Sequence, residues 1–221
     1  MPQHTRGDFP EYSYDPYTLA RFSKESGIDI PSTDPVKAAS WIDTHARDPW
    51  TSWKCDIVTN VVRQVREASQ SIKSDIQIML NTLPFGLADY DNARDKTYGQ
   101  HLDSLADVVD IFEVMTYHQI LKRPVNWIPK IGQEVKRRTG KKTVCTIQAE
   151  PLYLEGIHKV ENRTAIIDSI EFSEAVNSVE SENLDGVVVF VWSDLLKSSL
   201  ENKDYQRIDA LRSAIEARRI Q

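Results

Sequence analysis

The chain has 221 residues, one domain's worth of polypeptide and enough to bury a sizeable core. Its 40% hydrophobic and 27% charged residues are ordinary for a globular protein, and no run of about 18 apolar residues is present to span a membrane. The net charge is −6 and the basic residues are scattered, which argues against nucleic acid as the main partner, since phosphate recognition needs a basic patch.

In chain order, the polar start Met1–Tyr12 has no apolar core segment, so no signal peptide is expected and the default location is cytoplasmic. Residues 1–50 carry Pro10, Pro16, Pro31 and Pro35 beside Tyr12, Tyr14 and Tyr17. Little periodicity is visible there beyond a short helix near Tyr17–Ser26, which predicts a loop-rich segment ordered by its aromatics. Trp50–Ala68 then places Trp53, Ile57, Val61, Val65 and Ala68 on one stripe, the best amphipathic helix in the chain. Four short apolar runs follow, Ile76–Leu80, Val108–Met115, Thr143–Ile147 and Gly186–Trp192. They are nearly continuous rather than alternating, the pattern of strands covered on both faces.

A helical pattern follows each run, over Ala93–Ala106, Val125–Arg138, Ala165–Val179 and Asp204–Arg218. Thr139-Gly140 closes one of these helices just before a strand, as a C-terminal glycine does. The basic cluster Lys136, Arg137, Arg138, Lys141 and Lys142 lies at that helix end, where it complements the dipole and stays solvated. This rhythm is that of βα units, joined by right-handed crossovers. The expected fold is therefore α/β: a (β/α) half-barrel of four parallel strands with flanking helices, forming a single domain over residues 1–221.

No Cys/His set has zinc spacing, and neither a Walker sequence nor a Gly-x-Gly-x-x-Gly is present, so neither a metal nor a cofactor is expected. Cys55 and Cys145 read as reduced structural thiols. In parallel α/β architectures ligands bind at the carboxyl ends of the strands. That rule selects Asn81–Gly86, Met115–Gln119, Gln148–Pro151 and Trp192–Asp194. Aromatic rings flanked by Asn, Gln, Asp and Glu suit a sugar, which offers apolar ring faces and hydroxyl edges.

The run Asp110-Ile-Phe-Glu-Val-Met-Thr-Tyr-His118 resembles the sixth strand of glycoside-hydrolase TIM barrels, which reads Met-x-Tyr-Asp in family 18 chitinases. Asp185-Gly-Val-Val-Val-Phe-Val-Trp192 resembles their eighth strand, which ends in a tryptophan under the sugar. Met115-Thr-Tyr-His118 followed by Arg123-Pro-Val-Asn-Trp-Ile128 is similar to a glycoside-hydrolase-like TIM-barrel family, and Asp15–Phe22 resembles the segment after its fourth strand. The resemblance implies strands five to eight of such a barrel, without the acid that the family carries on its fourth strand. It also implies that Tyr117 stands where the family 18 tyrosine stabilises the reacting N-acetyl group, with His118 in place of the following Asp.

The expected function is a carbohydrate-active protein of glycoside-hydrolase type, acting on an oligosaccharide or polysaccharide. Glu150, Asp194 and Tyr117 are the catalytic candidates; Asn81, His118, Gln148 and Trp192 are the substrate-binding ones. The plainer alternatives stay open. His118 could be a hydrogen-bonded structural histidine, Asp194 an N-cap, and Glu113 either a core-facing carboxyl or one on a solvated sheet edge. The rival reading is a non-catalytic sugar-binding or assembly half-barrel, with a second copy or a complementary half as partner.

Overall fold

The computed structural model describes residues 13–149, 167–201 and 203–219. They form two compact units, one reaching to Ile76 and including Phe85–Val108, the other made of Gln77–Pro84 and the chain from Val109 onward.

The first unit is helical: α1 (Pro16–Ser26), α2 (Pro35–His45), α3 (Arg47–Ile72), α4 (Ala93–Lys96) and α5 (Leu102–Ala106). The first two start alike. Asp15 accepts the Thr18 N–H at 3.1 Å and Asp34 accepts the Lys37 N–H at 2.9 Å, each with proline at the first helical position. The Thr18 hydroxyl, 2.6 Å from Asp15, is the main reason that this carboxyl titrates below its usual range. So α1 is the short helix expected near Tyr17–Ser26, while α2 lies in the stretch predicted as loop-rich, and the Asp-Pro pair is the signal for both. Leu19, Phe22, Ala38, Ile42 and Trp50 form the core, with Trp41 and Trp53 packed against it. Tyr14 stacks on Trp50 at 5.4 Å. The stripe expected on α3 is covered only at its start, since Val61, Val65 and Ala68 are exposed. The span predicted as one helix over 93–106 is interrupted by Gly99. Its φ is +66°, and a Cβ there would lie 3.0 Å from the Lys54 carbonyl oxygen of α3.

The second unit holds the sheet: β1 (Met79–Thr82), β2 (Ile111–Val114), α6 (Trp127–Thr139), β3 (Lys142–Gln148), α7 (Ser169–Ser181), β4 (Gly186–Phe190), α8 (Trp192–Leu200) and α9 (Gln206–Arg219). The strands are all parallel and lie in the order β1-β2-β3-β4, the α/β half-barrel arrangement. Helix α6 packs on β2 and β3, and α7 on β3 and β4. Ile128, Cys145, Ile147, Phe172, Ala175, Val176 and Val179 are wholly buried between them. On α7 Val176 is wholly buried, whereas Ile170 is exposed. Gly132 lets α6 lie close, because a Cβ there would meet Cys145 Sγ at 2.7 Å.

One device recurs at the amino end of the sheet. Asp110, just before β2, accepts the Ile78 N–H at 2.7 Å; Asp185, just before β4, accepts the Thr143 N–H at 2.8 Å. Each carboxylate ties its strand to the start of a neighbour and so helps fix the register. Asp185 also pairs with Lys136 at 2.9 Å, so that member of the basic cluster is not merely solvated.

Two strand ends differ from the prediction. β1 runs later than Ile76–Leu80, so Asn81 lies within the strand, opposite Glu113 of β2. β4 ends at Phe190, and Trp192 opens α8, a helix the apolar run Gly186–Trp192 conceals. Among the described residues no helix is long and apolar enough to cross a membrane.

Candidate functional site

Side chains alternate across a strand, so the helix contacts of one set place the other. Val114, Cys145, Ile147, Val187 and Val189 share the helix-covered face, by strand pairing and by their packing in the helix cluster. Asn81, Glu113, Val144, Thr146, Gln148, Val188 and Phe190 therefore share the opposite face, which carries most of the sheet's polar side chains. Glu113 is half-buried there and accepts the Thr146 hydroxyl at 2.7 Å. This settles Glu113 as a sheet-facing carboxyl of an inner strand rather than one on an edge strand.

The same alternation continues past β2. Thr116 and His118 are buried, Met115 and Tyr117 half-buried. The Thr116 hydroxyl donates to the Thr146 carbonyl oxygen at 2.8 Å. His118 is 1% exposed and its Nε2 lies 2.9 Å from Glu171 Oε1 in the first turn of α7. A carboxylate only accepts, so that nitrogen carries a proton. Gln119 Nε2 donates to both Glu171 oxygens at 2.8 Å. Asp168 caps α7 by accepting the Glu171 N–H at 2.8 Å. The Tyr117–Gln119 segment is thus pinned to a capped helix end, and His118 positions Tyr117 toward the polar face.

Tyr117 and Phe190 meet there with ring centroids 5.4 Å apart. Tyr117 lies three residues past the end of β2 and Phe190 ends β4, and these strands are the two neighbours of β3. Strands separated by one other lie about 9–10 Å apart, so these rings reach toward each other across β3. The residue of β3 opposite Phe190 is Gln148. It is wholly buried, and neither Oε1 nor Nε2 has a hydrogen-bond partner.

Of the expected site residues, Tyr117 and Gln148 are therefore neighbours. Asn81 is on the same face, deeper toward the amino end, in the row of Glu113. His118 points to the helix side. Trp192 does not end a core strand. It is 62% exposed and, with Leu195, Ile208, Leu211, Arg212, Ile215 and Glu216, lines a mostly apolar cavity of about 430 Å³ between α8 and α9. Asp194 is in the first turn of α8 with a buried Oδ2 that lacks a partner; the N-cap is Val191, so Asp194 is no N-cap. Glu150 lies outside the described residues. Phe190 was missed because the unbroken apolar run hides which residue is last in the strand. Counting back by two from Gln148 would have found Thr146.

No known family profile matches the chain, and no curated protein matches it. Among solved structures it is similar to the PgaB (BpsB) glycoside hydrolase domain from Bordetella bronchiseptica, with a TM-score of 0.62 at 16% identity over 87% of this chain. It covers 51% of that chain, so it spans about half of that domain's length. At this identity the likeness establishes the fold: an α/β arrangement found in a glycoside hydrolase domain.

Proposed function

We propose that the chain is a carbohydrate-active protein of glycoside-hydrolase type, corresponding to the second half of a barrel, which binds a saccharide at the carboxyl ends of β2, β3 and β4. The observation that carries this reading is the Tyr117–Phe190 ring pair beside the unpartnered Gln148 amide. Rings pack on the C–H faces of a sugar and an amide pairs with its hydroxyls. The fold shared with a glycoside hydrolase domain supports it. In this reading Glu150 and Asp194 supply the two carboxyl groups that hydrolysis needs, roughly 5–10 Å apart across the scissile bond, and Tyr117 steadies the reacting group. Asn81, Gln148 and Trp192 hold the substrate, while His118 acts through Tyr117.

Calorimetric titration with soluble oligosaccharides tests the reading. Trp192→Ala weakens binding by about 1–3 kcal/mol if its indole stacks on sugar. Glu150→Gln keeps binding and ends turnover, because an amide cannot shuttle a proton. No binding to the parent chain would refute the proposal.

A second reading has its own support in the exposed Trp192 and the apolar cavity it lines. A non-catalytic assembly half would cover that surface with a second copy or with a complementary half. Sedimentation velocity, alone and with sugar, separates the two readings: an oligomer that Trp192→Ala dissolves belongs to the second.

A further inference from the structure

We infer that Gln148 is the floor of a gated subsite, closed over by Tyr117 and Phe190, that takes two adjacent hydroxyl groups of a pyranose; this rests on the carbohydrate reading above. Buried polar groups are almost always hydrogen-bonded, and an unsatisfied one destabilises the fold unless something else retains it. Gln148 leaves both amide atoms unsatisfied. Nearby polar groups are already engaged: the Thr146 hydroxyl donates to Glu113, and the Thr116 hydroxyl donates to the Thr146 carbonyl oxygen. An amide offers an acceptor and two donors side by side. A pair of adjacent hydroxyls satisfies both ends of it at once, whereas a lone hydroxyl leaves one end orphaned.

The rings and the amide differ in how firmly they are held, since Gln148 is wholly buried and the rings lie at the carboxyl end of its strand. Tyr117 is anchored through His118 and Gln119 to α7, but Phe190 is the last residue of β4 and is 39% exposed. Phe190 is therefore the movable leaf. Its ring swings toward solvent to admit the sugar, then closes on the apolar ring face while the amide takes the hydroxyls.

The test uses the full chain with cellotetraose, maltotetraose and mannotetraose as probes. Gln148→Met is close to isosteric and removes both orphaned atoms. It melts no lower than the parent and loses tenfold or more in affinity for whichever tetrasaccharide the parent binds. Phe190→Ala, at a part-exposed position, raises the association rate severalfold in stopped-flow fluorescence. A lower melting temperature for Gln148→Met would mean that the amide holds the fold and would overturn the inference without reference to any sugar. Unchanged affinity in Gln148→Met, or an unchanged association rate in Phe190→Ala, would overturn it while leaving the carbohydrate reading intact. If no tetrasaccharide binds the parent, the carbohydrate reading fails and the subsite fails with it.

Discussion

The two faces of the sheet are built from alternate residues of the same strands, yet they differ in kind. The helix-covered face presents Cys145 and Ile147, wholly buried in the cluster with α6 and α7, and beside Cys145 the equally buried Val114. The polar face presents Asn81, Glu113, Thr146 and Gln148, with Tyr117 and Phe190 at its carboxyl end. A slip of one residue in any strand would exchange the faces, so register matters more here than propensity. What the difference teaches is a division of labour: one face makes the fold stable, and the other tolerates polar and even unsatisfied groups because the first is so well packed.

The largest expected effect tests the packed face. Phe172→Ala empties the centre of the α7 cluster and is expected to cost about 3–5 kcal/mol in denaturant unfolding. A loss below 1 kcal/mol would remove the basis of the comparison. Next come the strand ties. Asp110→Ala and Asp185→Ala each remove a carboxylate from a backbone N–H, for about 1–3 kcal/mol each by the same measurement. Either variant matching the parent would show that register is fixed by packing alone.

A smaller effect is carried by the thiols. Burial pushes Cys145 up to about 12; burial, with the Asp95 carboxylate adding to it, pushes Cys55 to about 11. In the unfolded chain these thiols ionise near 9.0, while the native ones still hold their protons. Their stabilisation is therefore complete below pH 9 and is lost as the pH climbs toward 11 and 12. Urea midpoints at pH 8 and pH 10 should fall further apart in the parent than in Cys145→Ala; equal differences would contradict the assignment. The smallest effect belongs to the polar face. Glu113→Gln keeps an acceptor for Thr146 and should change stability by less than about 1 kcal/mol. A cost near that of Phe172→Ala would make the two faces alike.

Much of this was legible in the sequence, and the exceptions share a cause. Four parallel strands in chain order, α6 closed by Gly140, and α3 all follow from apolar periodicity and glycine placement. Periodicity fails where a strand enters the site. β1 runs on through Asn81 and Thr82, polar residues that end an apolar run but not a strand. β4 stops two residues before its apolar run does, because Trp192 already belongs to α8. Helix α2 went unread because its apolar face is narrow, only Ala38 and Ile42 being buried, though Asp34-Pro35 marks its start as clearly as Asp15-Pro16 marks α1. The placement of Gln148 against Phe190 needs the register of β3 with β4, which no local pattern contains.

The aspartate ties also bear on how the chain folds. Asp110 reaches back 32 residues to Ile78, and Asp185 reaches back 42 to Thr143. Parallel strands cannot be joined by a tight hairpin, so each of these pairings must close a loop of this length before any ladder bond forms. Folding should then be slow for the chain's helix content, with the collapse of α6 and α7 onto β3 leading and the aspartate ties made only on the native side of the barrier. Mutating Asp185 should for that reason leave the refolding rate unchanged and speed unfolding, a difference that appears in one limb of a stopped-flow chevron and not in the other.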